Sequence, residues 1–490
     1  MLAPIWKHEL DSEVRRSRRT WLNMSVIGME SEFNVYLDEV EINPEPFWKH
    51  PSAFIDQPLL PREKSSLQLP TGGAVYFDRG VIEVVTPVIE LAPHCTARMV
   101  RNLWEQIGFV RDQLTRWETA NGHTVRLKAY SSHYNVSYEI PRSKQTRHRN
   151  IKKLALLLAY ILPVPVMLTA ANRRSTGVGV RPRGNRIEIT CDFTPDPGLM
   201  IATATLIVGI VREVMTWRSY NLSQLQKRPI PIIAGVVPGK HTTRKGWLTK
   251  DLHYPQSPFT SDIDEPLWTT QFGDRRSLRQ IAKNVAWYFR KSIREHSDPF
   301  SFRLLFAIMD GRARSMLELA DRPAAYEDVG RLCRWGMVID ELKHEDVPST
   351  SPRTLQEFVI ERKLAAAQAA ETVAKTRRPL VAPKPRPIPP IYVERRAISL
   401  LEPQPRRERR RRDRRRMQYA IPFPDRRLTR SAYEQVFLKL VSGGHLRVGT
   451  QLYTPIGMKG WYHAILRCDS DGSETLMTID QLLKKINDWV

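Results

Sequence analysis

Cysteine is scarce in this chain, a long uninterrupted hydrophobic run is missing, and acids are outnumbered. Its 490 residues hold four cysteines, Cys95, Cys191, Cys333 and Cys468, none of them in a Cys-x-x-Cys pair. Neither a zinc ligand set nor a disulfide framework is predicted, and a reducing, cytoplasmic setting is expected. The N-terminal MLAPIWKHELDSEVRRSRR has no apolar stretch of signal-peptide length and orders its charges wrongly for one, so secretion is not expected. The longest apolar stretch, LALLLAYILPVPVMLTAA at 154–171, is broken by Pro163 and Pro165. It predicts a buried helix ending at Leu162 and an extended segment after it, with no membrane span. No internal repeat is present.

What is abundant is positive charge, with 76 Lys and Arg against 52 Asp and Glu and a net charge of +24. Such a surplus ordinarily points to nucleic acid or an anionic surface. Here it is concentrated: nineteen Lys or Arg against five acids fall between Lys375 and Arg430, which is more than half of the surplus. Frequent proline and the run RRERRRRDRRR cannot build a core, so residues 377–417 read as an extended or disordered basic linker. That linker is either a solvated tether or, through 400–417, a contact for nucleic acid or an acidic partner, of which nucleic acid is not the favoured reading.

An apolar content of 41% is ample for a large core. Strand patterns are predicted at 25–37, 73–87, 125–140 and 184–193, alternating with helices at 94–118, 151–162 and 196–217. Leu103, Ile107, Val110 and Leu114 recur at helical spacing, and Asp196 is placed to cap the third helix. A helical subdomain is expected from about Ser277 to Leu342, followed by a further helix before the linker. After it, SAYEQVFLKLVSGG reads as a helix stopped by Gly443 and Gly444, TQLYTPIGMKGWYHAILRCD as a hairpin, and TIDQLLKKINDWV as a terminal helix. Four regions result: 20–245, a mixed α and β core; 246–376, mainly helical; 377–417, the linker; and 418–490, a small C-terminal α/β domain.

The chemistry is concentrated in GMESEF and AVYFDRGVIEVVTP. Alternate strand residues share a face, so Glu30 and Glu32 point one way, as do Tyr76 and Asp78. Two such strands in one sheet would gather carboxylates, with Glu83 as another, into the oxygen-rich set that Mg²⁺ takes when it carries ATP. Thr86 could reach a phosphate. Arg181, Arg183 and Arg186 in GVGVRPRGNR suit phosphate oxygens or a solvated loop equally well. Each piece also has a plainer reading: Asp78-Arg79-Gly80 as a hairpin turn, Glu30 and Glu32 as a solvated strand face, His133 as a structural histidine, Trp461 as hairpin core.

Taken together and in this order, the two motifs resemble those of the Pup ligase and Pup deamidase family, a glutamine-synthetase-like group. The resemblance implies an α+β fold in which a curved antiparallel sheet carries the acids and helices cover its other face. It implies Glu30, Tyr76 and Glu83 as magnesium ligands, Asp78 as the catalytic aspartate and Thr86 as a nucleotide contact. YSSHYNVSYEI is similar to a further family strand, with His133 and Asn135 kept and Tyr134 in place of a glutamate. NRIEITCDFTPDPGLMIATATLIVG is similar to a strand-then-helix element that makes Glu188 another metal-facing acid, with Arg186 near the nucleotide. Trp461 matches a tryptophan that contacts the nucleotide. Ala74 departs from the pattern, standing where the family has an arginine.

The implied activity is ATP- and Mg²⁺-dependent joining of a carboxylate to an amine through an acyl phosphate, with Asp78 as the base that takes the amine's proton. The carboxylate donor could be an acidic small protein modifier and the acceptor a protein lysine. Amide or isopeptide hydrolysis in the same site is the related alternative, with Asp78 as nucleophile or activator of water. A catalytically inactive, basic nucleic-acid-binding protein is the alternative from another class.

Overall fold

The structure is a computed structural model and describes residues 22–319 and 432–490, apart from 23, 64, 140–145, 148, 173, 174, 176, 195, 242–245 and 251–256. The helices expected at 326–342 and 354–375, and the basic linker, lie outside the described residues. All described residues belong to one compact unit.

The frame is an antiparallel sheet built around β1 (Val26–Leu37), the sequence VIGMESEFNVYL. Its odd-numbered residues from Ile27 to Val35 are buried while the even-numbered ones are partly exposed, the period-2 signature of a strand with two unlike faces. Across the hairpin formed by β2 (Ala74–Asp78) and β3 (Val81–Val85), β3 pairs with one side of β1; β4 (Val125–Ser137) pairs with the other. The sheet continues through β5 (Val178–Pro182) and β6 (Arg186–Cys191), in the spatial order β5-β6-β4-β1-β3-β2. Arg79 (φ 52°) and Gly80 (φ 95°) form the two-residue turn between β2 and β3. Positive φ at both positions matches the twist of a tight hairpin. The hairpin reading of Asp78-Arg79-Gly80 is therefore right, and it does not compete with a role for Asp78.

On the other face lie helices α1 (Cys95–Asn121), α2 (Ile151–Ile161), α3 (Pro163–Ala170) and α4 (Pro197–Thr216). Leu103, Ile107, Val110 and Leu114 of α1 are buried as their spacing predicts, and the Asp196 side chain accepts from the Gly198 N–H at 2.5 Å to cap α4. Ile27, Met29, Phe33 and Val35 of β1 pack in the same core, each worth about 1.5–3 kcal/mol of burial.

The segment after Leu162 corrects an expectation. It is helical: α2 and α3 meet at a 64° bend. Pro163 occupies the first turn of α3, where its fixed φ suits a helix and its missing N–H would have had no partner, so the proline starts a new helix instead of an extended segment. α4 is long and apolar enough to cross a membrane, but 89% of its most apolar stretch is buried within the protein.

Helices Leu278–Tyr288, Arg290–His296 and Pro299–Met309 share this core and do not build one of their own. Gly209 makes this possible, since a Cβ there would lie 2.6 Å from Ile293 Cα. The Ser292 hydroxyl donates to Gly209 O at that crossing.

The C-terminal segment has a separate hydrophobic cluster around Tyr433, Phe437, Tyr453, Leu466 and Trp489. Its hairpin, β7 (Gln451–Lys459) and β8 (His463–Cys468), extends the large sheet: Met458 pairs in parallel with Arg62 of the short strand Pro61–Arg62. That strand pairs with Ser66–Gln68, which pairs with β2. The described residues are thus α+β, with helices against one face of the sheet.

Candidate active site

Register puts the site on the face away from the helices. Tyr76 lies opposite Glu83, Glu83 opposite Glu32, and Glu32 opposite Ser131, forming one row across four strands. In the next row Val85 faces Glu30, Glu30 faces His133, and His133 faces Thr190. Directly opposed residues in an antiparallel sheet share a face, so four strands deliver their polar side chains to one surface while Ser31, Phe33, Tyr134 and Val136 go to the other.

The result is two overlapping acid groups. Ligand atoms of Glu30, Glu83 and His133 lie within 4.8 Å of one another, as do those of Glu32, Asp78 and Glu83. Glu83 belongs to both and is buried. Burial, then the nearby charges of Glu30 and Glu32, push its carboxyl well above the usual range, while a hydrogen bond with Tyr76 works the other way. Glu30 behaves oppositely. Burial raises it, yet the hydrogen bond from His133, with Arg186 nearby and a hydrogen bond to Glu83, holds it below the usual range. One carboxyl of the pair therefore keeps a proton that the other accepts.

Burial and then the charges of Glu30, Glu83 and Asp78 keep the Tyr76 phenol protonated well above its ordinary range. In this arrangement Tyr76 orients Glu83 by a hydrogen bond, and a neutral phenol is a weak ligand beside three carboxylates. His133 has a similar supporting position. His133 Nδ1 meets Glu30 Oε1 at 2.9 Å, while Nε2 lies 3.2 Å from Arg181 Nη2, 3.1 Å from Ser131 Oγ and 3.8 Å from Glu32 Oε1. Set between Glu30 and Glu32, His133 orients Glu30. Ser131, which sequence reasoning passed over, donates to Glu32 Oε2 at 2.6 Å.

Glu188 is placed elsewhere than expected. It is fully buried among three arginines: Arg181 Nε at 2.5 Å, Arg183 Nε at 2.8 Å and Arg186 Nη2 at 3.6 Å. It joins neither acid group, and its charge is already matched by guanidinium. The reason is register: Glu188 pairs with Asn135 and Arg181, one row beyond Glu30 and His133. Arg186 Nε in turn donates to Asn135 Oδ1 at 2.7 Å. The three arginines thus form one built cluster and not a solvated loop.

Beside the acids opens a cavity of about 410 Å³, whose walls include Glu30, Thr86, Asn135, Arg186, Trp461 and Tyr462. Its floor mixes apolar side chains with amide, hydroxyl and guanidinium groups, the lining a nucleoside needs. Thr86 Oγ1 accepts the Met29 N–H at 2.9 Å, and the Thr86 N–H donates to Met29 O at 2.8 Å, which ties β1 to the end of β3 at the cavity wall. Tyr462 accepts from Asn185 Nδ2 at 2.7 Å. Trp461 packs edge-on against Phe437, so the hairpin-core reading of Trp461 is also correct, and it still lines the cavity.

The donor set fits divalent magnesium: oxygen ligands from Glu30, Glu32, Asp78 and Glu83, gathered tightly enough that an unneutralised group is costly. Cys95, Cys191 and Cys468 are buried free thiols and belong to neither acid group.

No family model matches the chain, and no curated protein matches it. Among solved structures it is similar to the crystal structure of the complex between the prokaryotic ubiquitin-like protein Pup and its ligase PafA, at 11% identity and a TM-score of 0.36. That likeness covers 59% of this chain and 65% of the other, so the chain spans less than two thirds of the structure it matches.

Proposed function

We propose that this protein is an ATP- and Mg²⁺-dependent carboxylate–amine ligase. The observation that carries the reading is the pair of acid groups sharing Glu83 at the mouth of a nucleoside-sized cavity. Two adjoining sets of oxygen ligands suit metal ions that bridge a polyphosphate, and a binding scaffold gains nothing from clustering acids that repel one another. The reading rests on this geometry and on the two motifs, not on the structural likeness.

Glu30, Glu32 and Glu83 would hold the metal ions, with Tyr76 and His133 keeping Glu83 and Glu30 in place. The carboxylate would take the γ-phosphoryl of ATP, with the ions offsetting charge on both reactants, and the amine would then displace inorganic phosphate from the acyl phosphate. Arg183 and Arg186, partly exposed beside the cavity, would meet phosphate oxygens, and Trp461 would pack against the base. Asp78 stands at the hairpin rim, half-buried and within the second acid group. From there it would take the proton of the attacking amine, whose unperturbed pKa is near 10.4 for lysine.

The test is formation of ADP by the purified full-length chain with Mg²⁺ and candidate acceptor amines. Asp78→Asn should slow product formation by about 10²-fold or more, and Glu83→Gln should raise the Mg²⁺ requirement. ADP formation untouched by both changes would remove the site assignment. Release of ammonia or of a free lysine side chain without ATP would instead favour the hydrolase.

A further inference from the structure

The row of site residues does not stop at Tyr76. Tyr76 lies opposite Ser66, and Ser66 opposite Arg62, so Arg62 stands on the same face as Glu83 and Glu32, two strands beyond Tyr76. In the neighbouring row Gln68 faces Ala74, Ala74 faces Val85, and Val85 faces Glu30. Ala74 brings only a methyl group to that row. The Arg62 side chain leans toward it: Nη1 donates to Gln68 Oε1, and Cζ lies 4.1 Å from the centroid of the Trp461 ring.

Three features set this arginine apart from a surface charge. First, it is half-buried, and enclosure lowers its pKa to about 10, with Tyr76 and Glu63 partly offsetting the effect. Second, no carboxylate lies within ion-pair distance of it among the described residues; the neighbouring Glu63 reaches Lys459, at 3.7 Å. Third, one N–H is used on Gln68, while a guanidinium has five in a planar fork. An enclosed cation with spare donors and no counter-ion is costly until an anion arrives. Trp461, on which it stacks, lines the cavity that Glu30 also lines.

We propose that Arg62 is an anion-binding residue of the nucleotide site, taking phosphate oxygens between Trp461 and the acid groups. This rests on the ATP reading above and adds to it a residue on a strand outside both motifs. Guanidinium suits the role because its planar fork engages phosphate oxygens in pairs and its face stacks on an indole. Gln68 holds one end of the fork, so the orientation is set before the ligand binds.

The experiment is a set of binding titrations on the full chain with Mg²⁺, using ATP, ADP and adenosine and following heat or tryptophan fluorescence. Arg62→Met keeps a stem over Trp461 and removes the charge. ATP affinity should fall by about tenfold or more while adenosine affinity stays within about twofold, and Arg62→Lys should lie between. Thermal melting checks the fold of each variant, and Arg62→Gln is judged by the same criterion if Arg62→Met does not fold. Unchanged ATP affinity in a folded variant would overturn the assignment, as would an equal loss for adenosine, which would make Arg62 a prop for Trp461. Wild-type protein that binds neither ATP nor adenosine would overturn the ATP reading itself, an outcome separate from the other two.

Discussion

The two faces of β1 are made from alternate residues of one strand and obey opposite rules. On the helix side Ser31 meets Ser132 at 2.9 Å, fully buried and mutually satisfied between Met29, Phe33, Tyr134 and Val136. One residue away on either side, Glu30 and Glu32 enter a group of carboxylates that have too few cations among them. On the first face the two buried hydroxyls of the central strands satisfy one another. The second keeps charge in excess, and burial makes that excess expensive. A fold supports such a surface where a ligand completes it, so the contrast separates the part of the sheet that stabilises from the part proposed to bind.

The largest expected effect lies on the apolar face. Phe33→Ala removes a fully buried ring that meets Phe193 edge-on at 5.6 Å; chemical denaturation should show a loss of about 3–5 kcal/mol. Next comes the arginine cluster. Arg181→Met would leave buried Glu188 with weaker compensation and remove the Arg181 contact to His133 Nε2. A loss of about 3 kcal/mol is expected, and a stability change under half a kcal/mol would show that Arg183 and Arg186 suffice for Glu188.

Across the strand, Glu83→Gln should behave unlike either. Glutamine imitates the protonated acid beside Glu30 and Tyr76, so metal-free stability in mildly acidic buffer should change by only about 0.5 kcal/mol. The stabilisation that Mg²⁺ gives the wild type, about 2.7 kcal/mol at a hundred times its Kd, should largely disappear. Melting curves with EDTA and with Mg²⁺ measure both quantities. A variant as responsive to Mg²⁺ as the wild type would place the metal elsewhere.

The smallest effect is a slope with pH. A raised carboxyl is protonated in the folded chain where the unfolded chain has already lost its proton, so Glu83 makes metal-free stability fall as pH rises above the ordinary value of 4.5. Glu30, held below its ordinary value, contributes stability that is present above 4.5 and is lost as pH falls through its folded value. Metal-free protein should therefore melt at its highest temperature in mildly acidic buffer, and Mg²⁺ should flatten the alkaline side. Glu83→Gln should remove that alkaline slope; a slope that persists in this variant belongs to another group.

Much of this was legible in the residues. Period-2 alternation identified β1, the spacing of Leu103 to Leu114 identified the buried stripe of α1, and Asp196 before Pro197 marked the start of α4. Each is a local signal, set by the geometry of one element. Pro163 was misread because a proline's effect depends on whether a helix is ending or beginning around it, and the same residue serves both. Glu188 was misplaced because its neighbours depend on pairing between β4, β5 and β6, and a strand's own sequence does not state which row it will join. Arg62 carried no signal at all: PRE in a short loop-like stretch gives no indication of a tryptophan about four hundred residues later.

The sequence by itself determined which residues would be strand and helix, which side of each strand would be polar, and that carboxylates would dominate one of those sides, because side-chain periodicity follows from backbone geometry within an element. Only the tertiary structure decided that Glu83 would stand between Glu30 and Glu32, that Glu188 would be matched by arginines, and that Arg62 would lie on Trp461. Those outcomes depend on register and on contacts between distant segments, where one residue of slip would send every acid to the opposite face.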